Sequence, residues 1–133
     1  MGCGNSKVDN ASSGGITCGI KQNGRLKTCA YSSSGIKYVE HPTTHVAFSD
    51  IVVPKYSEIC EIVKKCATKF PYHRLLSWDF AIDNEGCPVF IEVNLRYGEL
   101  DFHQFNNGPL FGEDTENILG QVFNKKRNQK DEV

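Results

Sequence analysis

Two carboxylates and an amide are spaced so that they can act together: Asp79, then twelve intervening residues, then Glu92-Val93-Asn94. The stretch between them reads as a hairpin, with strands over residues 74–83 and 88–94 meeting at Glu85-Gly86. Strand side chains alternate between the two faces of a sheet. Trp78, Phe80 and Ile82 then share one face with Val89, Ile91 and Val93, while Ser77, Asp79 and Ala81 share the other with Phe90, Glu92 and Asn94. A two-residue turn at Glu85-Gly86 pairs Asn84 with Cys87, and the same register sets Asp79 directly opposite Glu92. Facing Cβ atoms lie about 4.5–5.5 Å apart, and like charges placed so are destabilising. A hard divalent cation relieves that repulsion. Carboxylate and amide oxygens are the ligands magnesium prefers, and its other ligands are commonly water and substrate phosphates, which would imply a nucleotide. From parity alone the favoured reading is a solvated polar face on a half-buried hairpin, since such faces are common on antiparallel sheets.

The remaining elements must hold this hairpin in place. Residues 1–14 are rich in Gly, Ser and Asn, the composition of a loop whose backbone can approach a ligand closely. A first hairpin is predicted from strands over 16–22 and 25–31 around Asn23-Gly24, a dipeptide suited to a two-residue type I′ turn. Ser32-Ser33-Ser34-Gly35 marks another turn before a short strand over 36–40. Ile59, Ile62, Val63, Cys66 and Phe70 recur at spacings of three and four, which predicts a helix over 55–69 that starts at Pro54 and stops at Pro71. A short helix over 114–123 precedes a polar tail, 125–133. The order predicts an α+β fold, a mostly antiparallel sheet with helices packed on one face.

Composition narrows the function classes. The chain has 133 residues, 39% hydrophobic and 23% charged, enough for one globular domain with a core. Fifteen Lys and Arg oppose sixteen Asp and Glu, so the net charge of -1 argues against a nucleic-acid partner, and an anion must be bound locally. No apolar run reaches the roughly 18 residues of a membrane span. Six cysteines without a secretory segment or a CxxC pair read as free buried thiols in a reducing, cytoplasmic setting. Met1-Gly2-Cys3-Gly4-Asn5-Ser6 matches an N-myristoylation pattern loosely, and Asn10-Ala11-Ser12 a glycosylation sequon. His41 and His45 occupy a proline-bearing loop without the further ligands a metal centre needs.

Trp78-Asp79-Phe80-Ala81-Ile82-Asp83-Asn84-Glu85-Gly86-Cys87-Pro88-Val89-Phe90-Ile91-Glu92-Val93-Asn94 resembles the metal-binding hairpin of the ATP-grasp superfamily. The resemblance is closest to the sugar-transfer-associated ATP-grasp family, related to alpha-L-glutamate ligases. Asp9-Asn10-Ala11-Ser12-Ser13-Gly14-Gly15 is similar to that family's Asn-x-x-x-Gly-Gly element, and the resemblance extends to about Phe123. It implies the C-terminal portion of an ATP-grasp fold over 1–124, followed by the tail. It also implies an ATP-dependent ligase that phosphorylates a small-molecule carboxylate and passes the acylphosphate to an amine or another nucleophile, in polysaccharide biosynthesis. On the same ground Asp79, Glu92 and Asn94 would hold Mg²⁺ on ATP, and Asn10, Gly14 and Gly15 would lie near the phosphates or acceptor; Arg96 reads either as a contact to a phosphate or the acceptor carboxylate through its planar fork, or as a surface arginine in a loop. The segment with His103 and Gln104 would be a substrate-side loop without assigned chemistry. The family's adenine pocket and phosphate-contacting lysines normally precede the point where this sequence starts, so the chain is expected to be either a truncated gene product or one half of a split pair whose partner chain supplies the missing half, with little or no ligase activity alone. The competing expectations are an ATP-grasp kinase that phosphorylates an alcohol, and a non-catalytic interaction module that keeps the fold.

Overall fold

A computed structural model describes residues 1, 14–96 and 99–128. Three strands, β1 (Ile16–Ile20), β2 (Leu26–Ser32) and β3 (Lys37–Tyr38), form one antiparallel sheet in the order β1-β2-β3. Helix α1 (Tyr56–Ala67) leads to a second antiparallel pair, β4 (Ser77–Ile82) and β5 (Pro88–Asn94), and then to α2 (Asp101–Asn107) and α3 (Thr115–Asn128). The architecture is α+β, as the element order predicted, with the strands divided between two small sheets.

Both hairpins turn differently from the two-residue expectation. Each uses three residues, and the last is a glycine with positive φ: Gly24 at 81° and Gly86 at 75°. In the first, Gly24 N donates to Lys21 O at 2.9 Å and Lys21 N to Arg25 O at 2.8 Å. In the second, Gly86 N donates to Asp83 O and Asp83 N to Cys87 O, both at 3.0 Å. Polar side chains favour this longer turn. Asn23 Oδ1 accepts from Arg25 N at 3.1 Å, and Asp83 Oδ1 accepts from Glu85 N at 2.9 Å and Cys87 N at 2.7 Å. Asn and Asp form such local bonds in place of the tight turn's own geometry.

The buried apolar cluster is small and sits on the first sheet. Ile16, Leu26 and Ala30 pack with Phe48, which is 0% exposed and projects from a 3-10 turn at Phe48–Asp50. The segment after that turn is stitched to the first hairpin: Leu26 N donates to Ile51 O at 3.0 Å and Val53 N to Gly24 O at 2.9 Å. That path delivers the chain to α1. The helix begins two residues after Pro54, because Lys55 takes a left-handed conformation (φ 50°) that cannot be a helical position. Ile59, Val63 and Cys66 are half-buried, and Ile62 is 41% exposed, so the predicted stripe is covered only in part.

Helix α2 replaces the predicted loop. It packs on the first sheet, where Phe105 stacks on Tyr31 at 6.0 Å between ring centroids. Lys27 Nζ donates to Asn106 O at 2.7 Å, and Asn106 Nδ2 donates to Thr17 Oγ1 at 2.9 Å. Helix α3 runs to Asn128, so the first residues of the predicted tail are helical. Lys and Arg are good helix formers, and a polar run need not end a helix. The described cysteines, Cys18, Cys29, Cys60, Cys66 and Cys87, are free as expected but only half-buried. Among the described residues no helix is long and apolar enough to cross a membrane.

The two turn glycines differ in surroundings. A Cβ on Gly24 would stand 3.0 Å from Tyr56 Cβ and 3.2 Å from Val53 O, whereas one on Gly86 would meet Pro54 at an ordinary 3.5 Å. Gly86→Ala should therefore cost only the left-handed penalty, about 1–2 kcal/mol, and Gly24→Ala distinctly more. Urea denaturation of both variants checks this; equal losses would mean that the backbone around Gly24 moves aside freely.

Candidate metal centre

The second hairpin carries the predicted site. Ser77 pairs with Asn94, Trp78 with Val93, and Asp79 with Glu92. Nearer the turn the pairs are Phe80 with Phe90, Ala81 with Val89, and Ile82 with Pro88. The residue numbers of a pair therefore sum to 171 at the open end and 170 at the turn end, and Ile91 is the extra residue in a β-bulge between them.

Two departures from the expected register cancel. The three-residue turn shifts every pairing by one, which, continued without interruption, would set Asp79 opposite Ile91 and Glu92 beside Trp78 on the other face. The bulge at Ile91 restores the original register just before Glu92. The expected apolar set changes as a result: Phe90, not Val89 or Ile91, joins Trp78 and Phe80. Its ring lies 6.1 Å from Trp78 and 5.7 Å from Phe80, and Phe70, beyond the end of α1, closes on Trp78 at 5.9 Å. Val89 falls instead on the carboxylate face, opposite Ala81.

Asp79, Glu92 and Asn94 thus share one exposed face. Asn94 Nδ2 donates to Glu92 Oε1 at 3.2 Å, which orients the amide and leaves its carbonyl oxygen as the atom suited to a cation. Burial, then the charge of Glu92 and a hydrogen bond with it, pushes the Asp79 carboxyl above its ordinary range. The pair offers hard oxygen donors and an electrostatic reason to take up positive charge. That donor set fits magnesium, which needs few protein ligands when phosphates supply others. Among the described residues no group of three or more His, Cys, Asp and Glu could hold a metal, so a centre here must use the amide and a ligand's own oxygens.

The other candidates are dispersed. Gly14, with φ 90° and open space around it, and the buried Gly15 lead into β1 on the first sheet. Asn10, Gly2, Cys3 and the Asn10-Ala11-Ser12 sequon lie outside the described residues. Arg96 is exposed two residues beyond Asn94, while His103 and Gln104 are exposed on α2. His45 Nδ1 lies 3.0 Å from Glu40 Oε1, and His41 Nδ1 accepts from Thr43 N and Thr44 N, so both rings shape their own loop. The bulge at Ile91 is what the sequence did not reveal, because a β-branched residue suits a regular strand equally well.

The raised Asp79 carboxyl fixes the sign of a pH effect. The folded state binds its proton more readily than the unfolded state. The favourable contribution is present below the unfolded value, about pH 4, and is lost as pH rises through the folded one. Without a cation the facing carboxylates therefore weaken the fold at neutral pH. The residue is exposed, so the effect is small. In chelator, Asp79→Asn should be more stable than the wild type at neutral pH, with the gap closing toward about pH 4; denaturation at both pH values reads it, and a gap that ignores pH would contradict the assignment.

A family model described as sugar-transfer associated ATP-grasp matches residues 1–119. No curated protein and no solved structure matches the chain. The match takes in the whole carboxylate hairpin together with the α+β scaffold around it, and the chain belongs to the sugar-transfer associated ATP-grasp family, whose domain implies ATP binding and ligase-type chemistry.

Proposed function

We propose that this chain binds ATP through magnesium held by Asp79, Glu92 and Asn94, as part of an ATP-dependent carboxylate ligase. The observation that carries the reading is the cross-strand pairing of Asp79 with Glu92, with Asn94 on the same face. When bound, magnesium would neutralise charge on the ATP phosphates and favour phosphoryl transfer to a carboxylate. The chain's own residues define where this happens. Asp79 and Glu92 present carboxylate oxygens from neighbouring strands, and the hydrogen bond to Glu92 fixes which end of the Asn94 amide faces the cation. The aromatic cluster of Phe70, Trp78, Phe80 and Phe90 stiffens the hairpin from its opposite face.

Arg96 is the residue for the acceptor. Its planar guanidinium matches a carboxylate bidentately, and it stands next to the proposed metal ligands in sequence without belonging to them. Gly14 leaves room for a ligand to approach the backbone at the start of β1. The substrate class is a small-molecule carboxylate activated as an acylphosphate for attack by an amine or another nucleophile, in the assembly of a sugar-containing polymer. Free thiols at all five described cysteines suit a reducing, cytoplasmic setting.

Titration calorimetry with ATP in the presence and absence of Mg²⁺ tests the proposal. The wild type should bind ATP with Mg²⁺, and Asp79→Asn combined with Glu92→Gln should lose that metal-dependent binding by tenfold or more, equivalent to about 1.4 kcal/mol, while circular dichroism shows the fold retained. Unchanged binding in the double variant would remove the hairpin from the nucleotide site. Carboxylate-dependent release of ADP with an acylphosphate or amide product marks a ligase; phosphorylation of an alcohol instead would exclude the ligase reading.

A further inference from the structure

Away from the carboxylates, the second hairpin is joined to α1 by one contact between reactive side chains. Lys55 Nζ donates to Cys87 Sγ at 3.0 Å. The backbone constrains both partners. Lys55 occupies the left-handed position before α1, and Pro54 packs against the turn at Gly86. Cys87 follows that turn, with its N–H held by Asp83 Oδ1 at 2.7 Å. An amine nitrogen and a sulfur are therefore kept at a separation typical of near-attack arrangements, about 3–3.5 Å. The described structure assigns no other thiol to Cys87 as a partner, since all five described cysteines are free.

We propose that Cys87 and Lys55 form a reversible oxidative cross-link, a modification site that ties the start of α1 to the carboxylate hairpin. The oxidant is a peroxide. The Cys87 thiolate attacks one peroxide oxygen, the O–O bond breaks, and the leaving hydroxide takes a proton from the Lys55 ammonium, so that a sulfenic acid, water and a neutral amine result; sulfur is oxidised and peroxide reduced. The neutral Lys55 amine then attacks the sulfenic sulfur, the S–OH bond breaks, and an S–N bond forms with loss of a second water. The net change to the protein is the loss of two hydrogens. Sulfenic acids condense with nitrogen nucleophiles in this way, and a thiol reverses the product by attacking sulfur and releasing the amine. The reduced pair opposes early reaction: the hydrogen bond to Cys87, then its charge, pushes the Lys55 ammonium above its ordinary range, with Glu58 and Asp83 adding to the effect. Oxidation removes the thiolate, and with it the largest of those causes.

The full chain treated with dilute hydrogen peroxide, blocked at its remaining thiols and digested without reductant tests this. Mass spectrometry should find the peptides that contain Lys55 and Cys87 joined, two hydrogens lighter than their sum, and separated again by dithiothreitol. Lys55→Arg should abolish the joined species and leave Cys87 oxidised alone. Wild-type reversal by dithiothreitol needs no variant and stands even if Lys55→Arg folds poorly. Unlinked Cys87 sulfenic or sulfinic acid in the wild type, a disulfide from Cys87 to another cysteine, or the same joined mass in Lys55→Arg would each overturn the proposal. None of these results depends on nucleotide binding, so failure here is distinct from failure of the metal reading.

Discussion

Like charge held across neighbouring strands is the constraint around which this molecule is organised. Asp79 and Glu92 face each other on β4 and β5, and among the described residues neither takes part in an ion pair. A hairpin tolerates such a pair when water screens it or when a positive ion joins it. The Asp79 carboxyl responds as expected of the first case under strain, rising above its ordinary range because burial and Glu92 both disfavour its charge. An amide beside the pair, already turned by its bond to Glu92, makes the second case chemically available.

What keeps the hairpin in position is packing on its other face and at its turn. The buried cluster of Ile16, Leu26, Ala30 and Phe48 lies on the first sheet and does not include a β4 or β5 residue. A two-stranded hairpin is marginal by itself. Here the rings of Trp78, Phe80 and Phe90 meet one another and Phe70, which anchors the open end to the segment after α1, while Pro54 and Lys55 meet Gly86 and Cys87 at the turn. Both attachments come from the two ends of the α1 region. Phe90 remains 52% exposed on the aromatic face, and Asp79, Glu92 and Asn94 are exposed on the other, so the hairpin is held at its ends and left open along its length.

The sequence carried the pairing of Asp79 with Glu92 through motif spacing, and the register argument agreed with it only because a longer turn and a bulge offset each other. It did not carry the path by which that pairing arises. Glu85-Gly86 and Asn23-Gly24 read as two-residue turns by dipeptide preference, yet the carboxylate of Asp83 and the amide of Asn23 bond to backbone N–H groups and favour three residues with the glycine last. The resulting one-residue slip is corrected by a bulge at Ile91, for which a β-branched residue gives no signal. Helix α2 escaped notice for another reason. Seven residues are too few to display helical periodicity, and what stabilises it is tertiary: Phe105 on Tyr31, and Asn106 bridging to Lys27 and Thr17.

The bulge at Ile91 answers a packing constraint on β5. Without it Glu92 would stand beside Trp78 among aromatic rings, where an unpaired carboxylate is costly, so hydrophobic packing alone accounts for a device that turns Glu92 outward. Packing does not account for Asp79. Any small polar residue at that position would satisfy the outward face of β4 and avoid repulsion with Glu92, and Ser77 shows that the strand accommodates one. Burial and Glu92 hold a carboxylate there above its ordinary range, and positive charge between the two would relieve that repulsion. Family membership implies ATP binding, and in the proposed reading ATP would supply the remaining oxygen ligands, but fold alone does not confer activity; the identity of residue 79, more than the shape of the strand that presents it, is where sequence, structure and proposed chemistry meet.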